Sequence, residues 1–269
     1  MNNLHRELAP ISDDAWAQIE QEAARTLKRY LAARRVVDTP EPKGMDLAAV
    51  GTGHTRTIDG PGDGPGDGLK ATLRTANAVV ELRAPFTLSR QAVDDVERGA
   101  LDSDWSPLKE ACRKIAFAED RAVFDGWAAA GIGGVRPGAS HAAVALPAAP
   151  TGYPAAVAQA VNTLRLAGCE GPYRLVLGAD PYTAVSGGSE EGYPVLQHIL
   201  RLVDGDIIWA PAIEGGLVLT TRGGDFELSI GQDISIGYLS HTDAGIELYL
   251  MESFTFRLLT TEAAVPLGR

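Results

Sequence analysis

A chain of 269 residues, 45% hydrophobic and 22% charged, has the size of one large or two modest domains and an ordinary globular composition. That excludes a disordered chain and a coiled-coil rod, and the excess of 35 Asp+Glu over 24 Lys+Arg, formally −11, disfavours nucleic acid as a partner. Cys112 and Cys169 are too few for a disulfide framework, no apolar stretch follows Met1–Pro10, and none approaches the ~20 residues that span a bilayer. A cytoplasmic protein without a membrane span is expected.

The first predicted element is a helix over 13–35. Ser12 is its N-cap and Ile11 can staple onto Trp16; acidic residues fill its first half and Arg25, Lys28, Arg29, Arg34 and Arg35 its second, matching the helix dipole. Trp16, Ile19, Ala23, Leu27 and Leu31 recur at helical spacing, for which core packing is the ordinary explanation. Residues 36–68 read as extended or loop chain ending in DGPGDGPGDG, where seven of ten residues are Gly or Pro, so an exposed, mobile tip is predicted. Asp59, Asp63 and Asp67 lack the alternating oxygen spacing of an EF-hand. On either side, 50–58 and 69–82 alternate as two arms of a long hairpin.

A second helix is predicted over 106–130, with Pro107 in its first turn and Gly131 as its stop. Its apolar positions cover more than one face, so other elements should surround it, and Cys112 should be a buried, inert thiol. Residues 136–150 read as an Ala/Pro/Gly linker. Beyond it, helices over 154–167 and 193–203 alternate with apolar runs at 173–177, 207–210 and 217–221, followed by strands at 226–230, 234–239 and 246–259. In the last strand Leu248, Leu250, Phe254, Phe256 and Leu258 share one face, with Glu252 the exception. The 154–221 module reads as an insertion, giving two lobes of which one is discontinuous.

No catalytic constellation stands out. The five histidines show no HxxxH or HExxH spacing, GGS at 187–189 is no nucleophile elbow, and the glycines at 131–134 follow a helix instead of a strand. Glu119 and Asp120 read as a solvated or salt-bridged face beside Arg121. Neither enzyme activity, metal nor cofactor is expected.

Several segments carry a family resemblance: LAP before the tryptophan helix (8–16), ARRVVD (33–38), PFTLS with DVERG (85–99), EGPYRLVL (170–177) and TRGGDFELSIGQDISIGY (221–238). Together and in this order they resemble the family 1 encapsulins, the shell proteins of bacterial nanocompartments, formerly called linocin-type bacteriocins. Residues 45–69, 136–151 and 186–191 depart from the pattern. The resemblance implies an α+β, phage-capsid-like (HK97-type) fold: an N-terminal helix region (1–43), an E-loop hairpin arm (44–84), a peripheral lobe with a spine helix (85–136 and 222–269) and an axial lobe (137–221). It further implies a homo-oligomeric icosahedral cage around a cargo protein, a dye-decolourising peroxidase or a ferritin-like iron protein, held by its C-terminal targeting peptide and serving oxidative-stress defence or iron storage. By motif position the cargo groove comprises Leu27, Leu31, Arg34, Asp38 and Ile234, an apolar slot with charges at its rim, so truncating Arg34 should leave the core untouched. Ser186, Gly187, Gly188, Ser189, Glu190 and Glu191 would line a pore. Two alternatives stay open: a phage or prophage major capsid protein, and a secreted bacteriocin or protease.

Overall fold

The computed structural model of the chain describes residues 3–59 and 70–268. Helix α1 (Asp13–Tyr30) starts as its cap predicts, with the Ser12 hydroxyl accepting from the Ala15 amide at 3.2 Å. It ends before Arg35 because the amides of Ala32 and Ala33 turn instead to the Asp120 carboxylate, at 3.1 and 2.8 Å, and a 3-10 turn over Ala33–Arg35 replaces the last helical turn.

Strands β1 (Ala49–Ile58) and β2 (Ala71–Ala78) form the expected antiparallel hairpin, Ala49 opposite Ala78 and Ile58 opposite Ala71, exposed along most of its length. Most of the predicted mobile tip, residues 60–69, lies outside the described residues. The arm is shorter than 44–84. The Val79 amide donates to the Ala48 carbonyl at 3.0 Å and closes its base, and β3 (Val80–Ser89) leaves it to join the main sheet. Helix α2 (Arg90–Glu97), unforeseen in the sequence, follows with Ser89 as its cap.

The spine helix α3 (Ser106–Phe124) stops six residues short of Ala130. Gly126, at φ +83°, turns the chain back, and a Cβ on it would lie 2.7 Å from the Gly133 carbonyl oxygen, so only glycine fits this approach. The expected linker instead holds a short helix α4 (Val135–Gly138) and strand β4 (Val144–Ala145). Then come α5 (Tyr153–Leu166), β5 (Tyr173–Leu177), α6 (Ala179–Gly187), β6 (Ser189–Glu190), β7 (Tyr193–Pro194), α7 (Val195–Ile199), β8 (Ile208–Trp209) and β9 (Gly216–Thr220). The helix expected over 193–203 shrinks to α7 because Tyr193 and Pro194 pair with β6. Strands β10 (Phe226–Ile230), β11 (Ser235–His241), β12 (Gly245–Leu258) and β13 (Ala264–Gly268) complete the chain.

Two sheets organise these elements. In the first, β12 runs antiparallel to β3 along one edge and to β11 and then β10 along the other. Because β12 has neighbours on both edges, it is buried along nearly its whole length, which explains its near-continuous hydrophobic run. Its Ile246, Leu248 and Leu250 form one core cluster with Ile19 of α1 and Leu108 and Ile115 of α3. Each such fully buried side chain contributes about 1.5–3 kcal/mol. The second sheet has the order β4-β13-β9-β5-β8 and packs against α5. This corrects the assignment of 222–269 to the peripheral lobe: β13 crosses over and pairs with β9, Ala264 opposite Leu219 and Leu267 opposite Gly216.

Candidate functional site

The residue picked out as the groove's rim cation is the centre of a buried ion cluster. Arg34, brought round by the turn after α1, donates from Nη2 to Glu119 of α3 at 2.6 Å, from Nη1 to Asp233 at 2.7 Å, and from Nη2 to Glu252 of β12 at 3.2 Å. The Glu119 and Glu252 side chains are 0% and 1% exposed and that of Arg34 18%. Burial acts to lower the Arg34 pKa, yet the hydrogen bonds and charges of Glu119 and Asp233 hold it above the usual arginine range. Burial, and then the Glu119 charge, push Glu252 well above the usual carboxylate range, and its Oε1 is buried without a hydrogen-bond partner.

Asp120, beside Glu119, is fully buried, and desolvation pushes it up to about 8 against the amides of Ala32 and Ala33 that favour its charge. Of the solvated or salt-bridged face expected at Glu119 and Asp120, the salt bridge is present at Glu119 but is buried and made to Arg34, while the adjacent Arg121 turns away to the Ala212 carbonyl at 3.0 Å. A carboxyl with a raised native pKa keeps a proton that the unfolded chain has already released, so stability falls as pH rises between the unfolded value of about 4 and the native value. The melting temperature is accordingly expected to fall from pH 4 to 8, by the equivalent of a few kcal/mol at most. In Asp120→Asn that slope should flatten; an unchanged slope in scanning calorimetry would refute the assignment to Asp120.

The other groove candidates surround this cluster unevenly. Ile234 follows Asp233, and with Leu27 it is half-buried against the cluster that holds Ile19 and Ile115. Leu31, the C-cap of α1, is also half-buried. Asp38 is exposed and lies apart from these. Its backbone bridges β10, with its amide donating to the Phe226 carbonyl at 3.0 Å, and its Oδ2 accepts from the Gly224 amide at 2.6 Å. Gly223 and Gly224, at φ +89° and +81°, make the turn that offers this amide. Arg34 and Asp38 both border a cavity of about 190 Å³ shared with Thr220 and Phe226.

Ser186 and Gly187 end α6; Ser189 and Glu190 form β6, Gly188 is half-buried beneath them, and Glu191, at φ +48°, turns the hairpin into β7, leaving both glutamates exposed. Cys112 is the expected inert thiol, fully buried with burial pushing it up to about 12. The sequence reading missed Glu119, Asp233 and Glu252 as partners of Arg34. Their one visible signal was a glutamate on an otherwise apolar strand.

Among the described residues no group of three or more His, Cys, Asp or Glu could hold a metal ion, and no helix is long and apolar enough to cross a membrane. The family profile described as "Encapsulating protein for peroxidase" matches residues 1–255. Over 268 residues the chain is 56% identical to the type 1 encapsulin shell protein of Rhodococcus erythropolis and 55% identical to that of Mycobacterium tuberculosis, covering 100% of both chains each time. Among solved structures, it is similar to a virus-like particle from Pyrococcus furiosus, with TM-score 0.61 and 14% identity over 93% of this chain and 98% of that one. It also resembles a chain of Gordonia phage Cozz, with TM-score 0.55 and 11% identity over 89% and 86%. These likenesses show the fold to be the phage-capsid type. The chain thus belongs to the type 1 encapsulin shell proteins, a family of structural proteins and not of enzymes.

Proposed function

We propose that copies of this chain close into an icosahedral shell in the cytoplasm, around a cargo protein held by its C-terminal targeting peptide. The β1–β2 arm carries the shell reading. Its strands pack chiefly on each other and leave both faces to solvent, so their apolar Ile58 and Leu73, 36% and 44% exposed, need a neighbouring subunit. The profile's description favours a peroxidase over a ferritin-like iron protein as cargo, and with it a role in oxidative-stress defence. The two alternatives have less support: capsid proteins match in fold alone, and the curated relatives carry the name of shell proteins.

In this reading Leu27, Leu31 and Ile234 receive the apolar side chains of the targeting peptide, being half-buried where core residues would be closed off. Arg34 supports the floor through Asp233. The hairpin of Ser186–Glu191 rings a pore, where repeated Glu190 and Glu191 favour cations over anions. Replacing Leu31 or Ile234 with Asp should cost about 2 kcal/mol or more of cargo binding while empty shells still form. Co-expression with the cargo, followed by electron microscopy and quantification of cargo per shell, tests this. Undiminished loading in both variants would remove these residues from the site, and absence of any large particle from the wild-type chain would overturn the shell itself.

A further inference from the structure

The β1–β2 arm has two unlike faces. Arg56 pairs with Leu73 across the strands and Ile58 with Ala71, so these four side chains share one face, while Thr55, Thr57, Thr72 and Arg74 stand on the other. The strands carry no Asp or Glu, although Asp59, Asp63 and Asp67 follow β1 in the sequence. Neither arginine side chain has an ion pair or hydrogen bond among the described residues, in a chain whose net charge is −11. The Ile58 face is thus apolar and carries an unpaired cation.

A complementary surface surrounds Leu101, in the turn between α2 and α3. Its side chain is 92% exposed, more than any other large apolar one among the described residues. Exposed carboxylates border it: Asp94 and Glu97 on α2, Asp102 next in the chain, and Asp13 and Asp14 at the start of α1. Hydrogen bonds from Ser12 to Glu97, and from Gln18 Nε2 to the Ala100 carbonyl at 3.3 Å, hold α1 against this turn. None of the five carboxylates forms an ion pair among the described residues. The nearby cations are engaged elsewhere, Arg98 by Asp95 and Arg90 by the Thr242 carbonyl at 3.3 Å. Asp13 and Asp14 favour the positive end of α1, but Asp94 and Asp102 have no side-chain polar partner among the described residues.

The two surfaces lie at opposite ends of β12. Arg257 ties the arm to one end through the Gly51 carbonyl, and the Arg90 amide, donating to the Ala244 carbonyl at 3.0 Å, sets α2 at the other. Along this strand, Gly245–Leu258, those ends are roughly 40 Å apart at ~3.3 Å per residue. A subunit built this way joins its copies head to tail, the arrangement that closes rings.

We propose that the Arg56, Ile58 and Leu73 face of each arm docks on the Leu101 patch of the next copy of this chain. The idea rests on the shell reading above and names the surface that the arm covers. An apolar residue ringed by free carboxylates matches an apolar face with a free arginine, whereas two arms laid together would set like charges side by side.

Each chain carries both surfaces, so both can be reversed at once. Arg56→Glu should lower the yield of particles about tenfold or more, counted by size-exclusion chromatography and electron microscopy, and so should Asp94→Arg with Asp102→Arg. All three changes in one chain should restore particles, because opposite charges meet again. A second measurement leaves every charge in place: Ile58→Cys with Leu101→Cys, oxidised after assembly, should give a ladder of linked subunits on a denaturing gel. A link within one subunit is out of reach, since disulfide-bonded Cα atoms lie within ~7 Å, and the native Cys112 and Cys169 are buried. Full particle yield from Arg56→Glu, a reversal that restores nothing in a folded chain, or particles of the paired-cysteine variant without linked subunits would overturn the proposal. Failure of the shell reading looks different: the wild-type chain itself forms no particle.

Discussion

Arg34→Ala is expected to yield little or no assembled shell and a subunit that melts at least about 10 °C lower, the equivalent of about 3–5 kcal/mol. Removing the cation that contacts Glu119, Asp233 and Glu252 leaves the two buried groups, Glu119 and Glu252, beside each other without compensation. That loss is a large fraction of the roughly 5–15 kcal/mol that holds a typical domain folded. The outcome differs from what a groove-rim arginine would give, namely normal shells with reduced cargo. A triple variant, Arg34→Met with Glu119→Gln and Glu252→Gln, should recover much of the melting temperature, since the repulsion disappears with the charge. Calorimetry on the single and triple variants decides the matter; a single variant with wild-type melting would show that the cluster contributes nothing.

Excising residues 49–78 and joining Ala48 to Val79 through a Gly-Asn-Gly turn should abolish shells altogether yet leave a folded subunit. The ends already lie together, the Val79 amide donating to the Ala48 carbonyl at 3.0 Å, so the cut leaves little strain. The arm adds little to the subunit core: Val50 is its one buried side chain among the described residues, and a hydrogen bond from Arg257 to the Gly51 carbonyl at 3.1 Å ties its base. Losing these contacts should cost the subunit no more than about 2 kcal/mol. Size-exclusion chromatography with electron microscopy reads the result. Intact cages from the excised chain would remove the arm from the assembly contacts, and insoluble protein would mean that the arm is part of the fold.

The elements that local chemistry specifies were legible in the sequence. Ser12 and its acidic first turn announced α1, Pro107 announced α3, and alternation between Gly/Pro clusters announced the arm. What failed was set by contacts that local patterns do not display. The end of α1 depends on Asp120, 88 residues on from Ala32, and the end of α3 on a backbone approach between Gly126 and Gly133. The return of β13 to the second sheet depends on an edge of β9 that no local pattern displays. The groove residues came from family resemblance alone. Periodicity sees Leu27 and Leu31 as one face of a helix, and Arg34 as one cation among several.

The return of β13 also bears on how such a shell can be curved. A lobe inserted by two chain segments can swing about them as on a hinge. Here the backbone passes from the first sheet towards the second before α5, comes back after β9, and passes over again after β12 to end hydrogen-bonded between β4 and β9. That last crossing acts as a tie rod, because rotating one lobe against the other would shear the β13 ladder. In the shell proposed above, each subunit would then act as a stiff tile, with differences in curvature taken up between tiles and not within them.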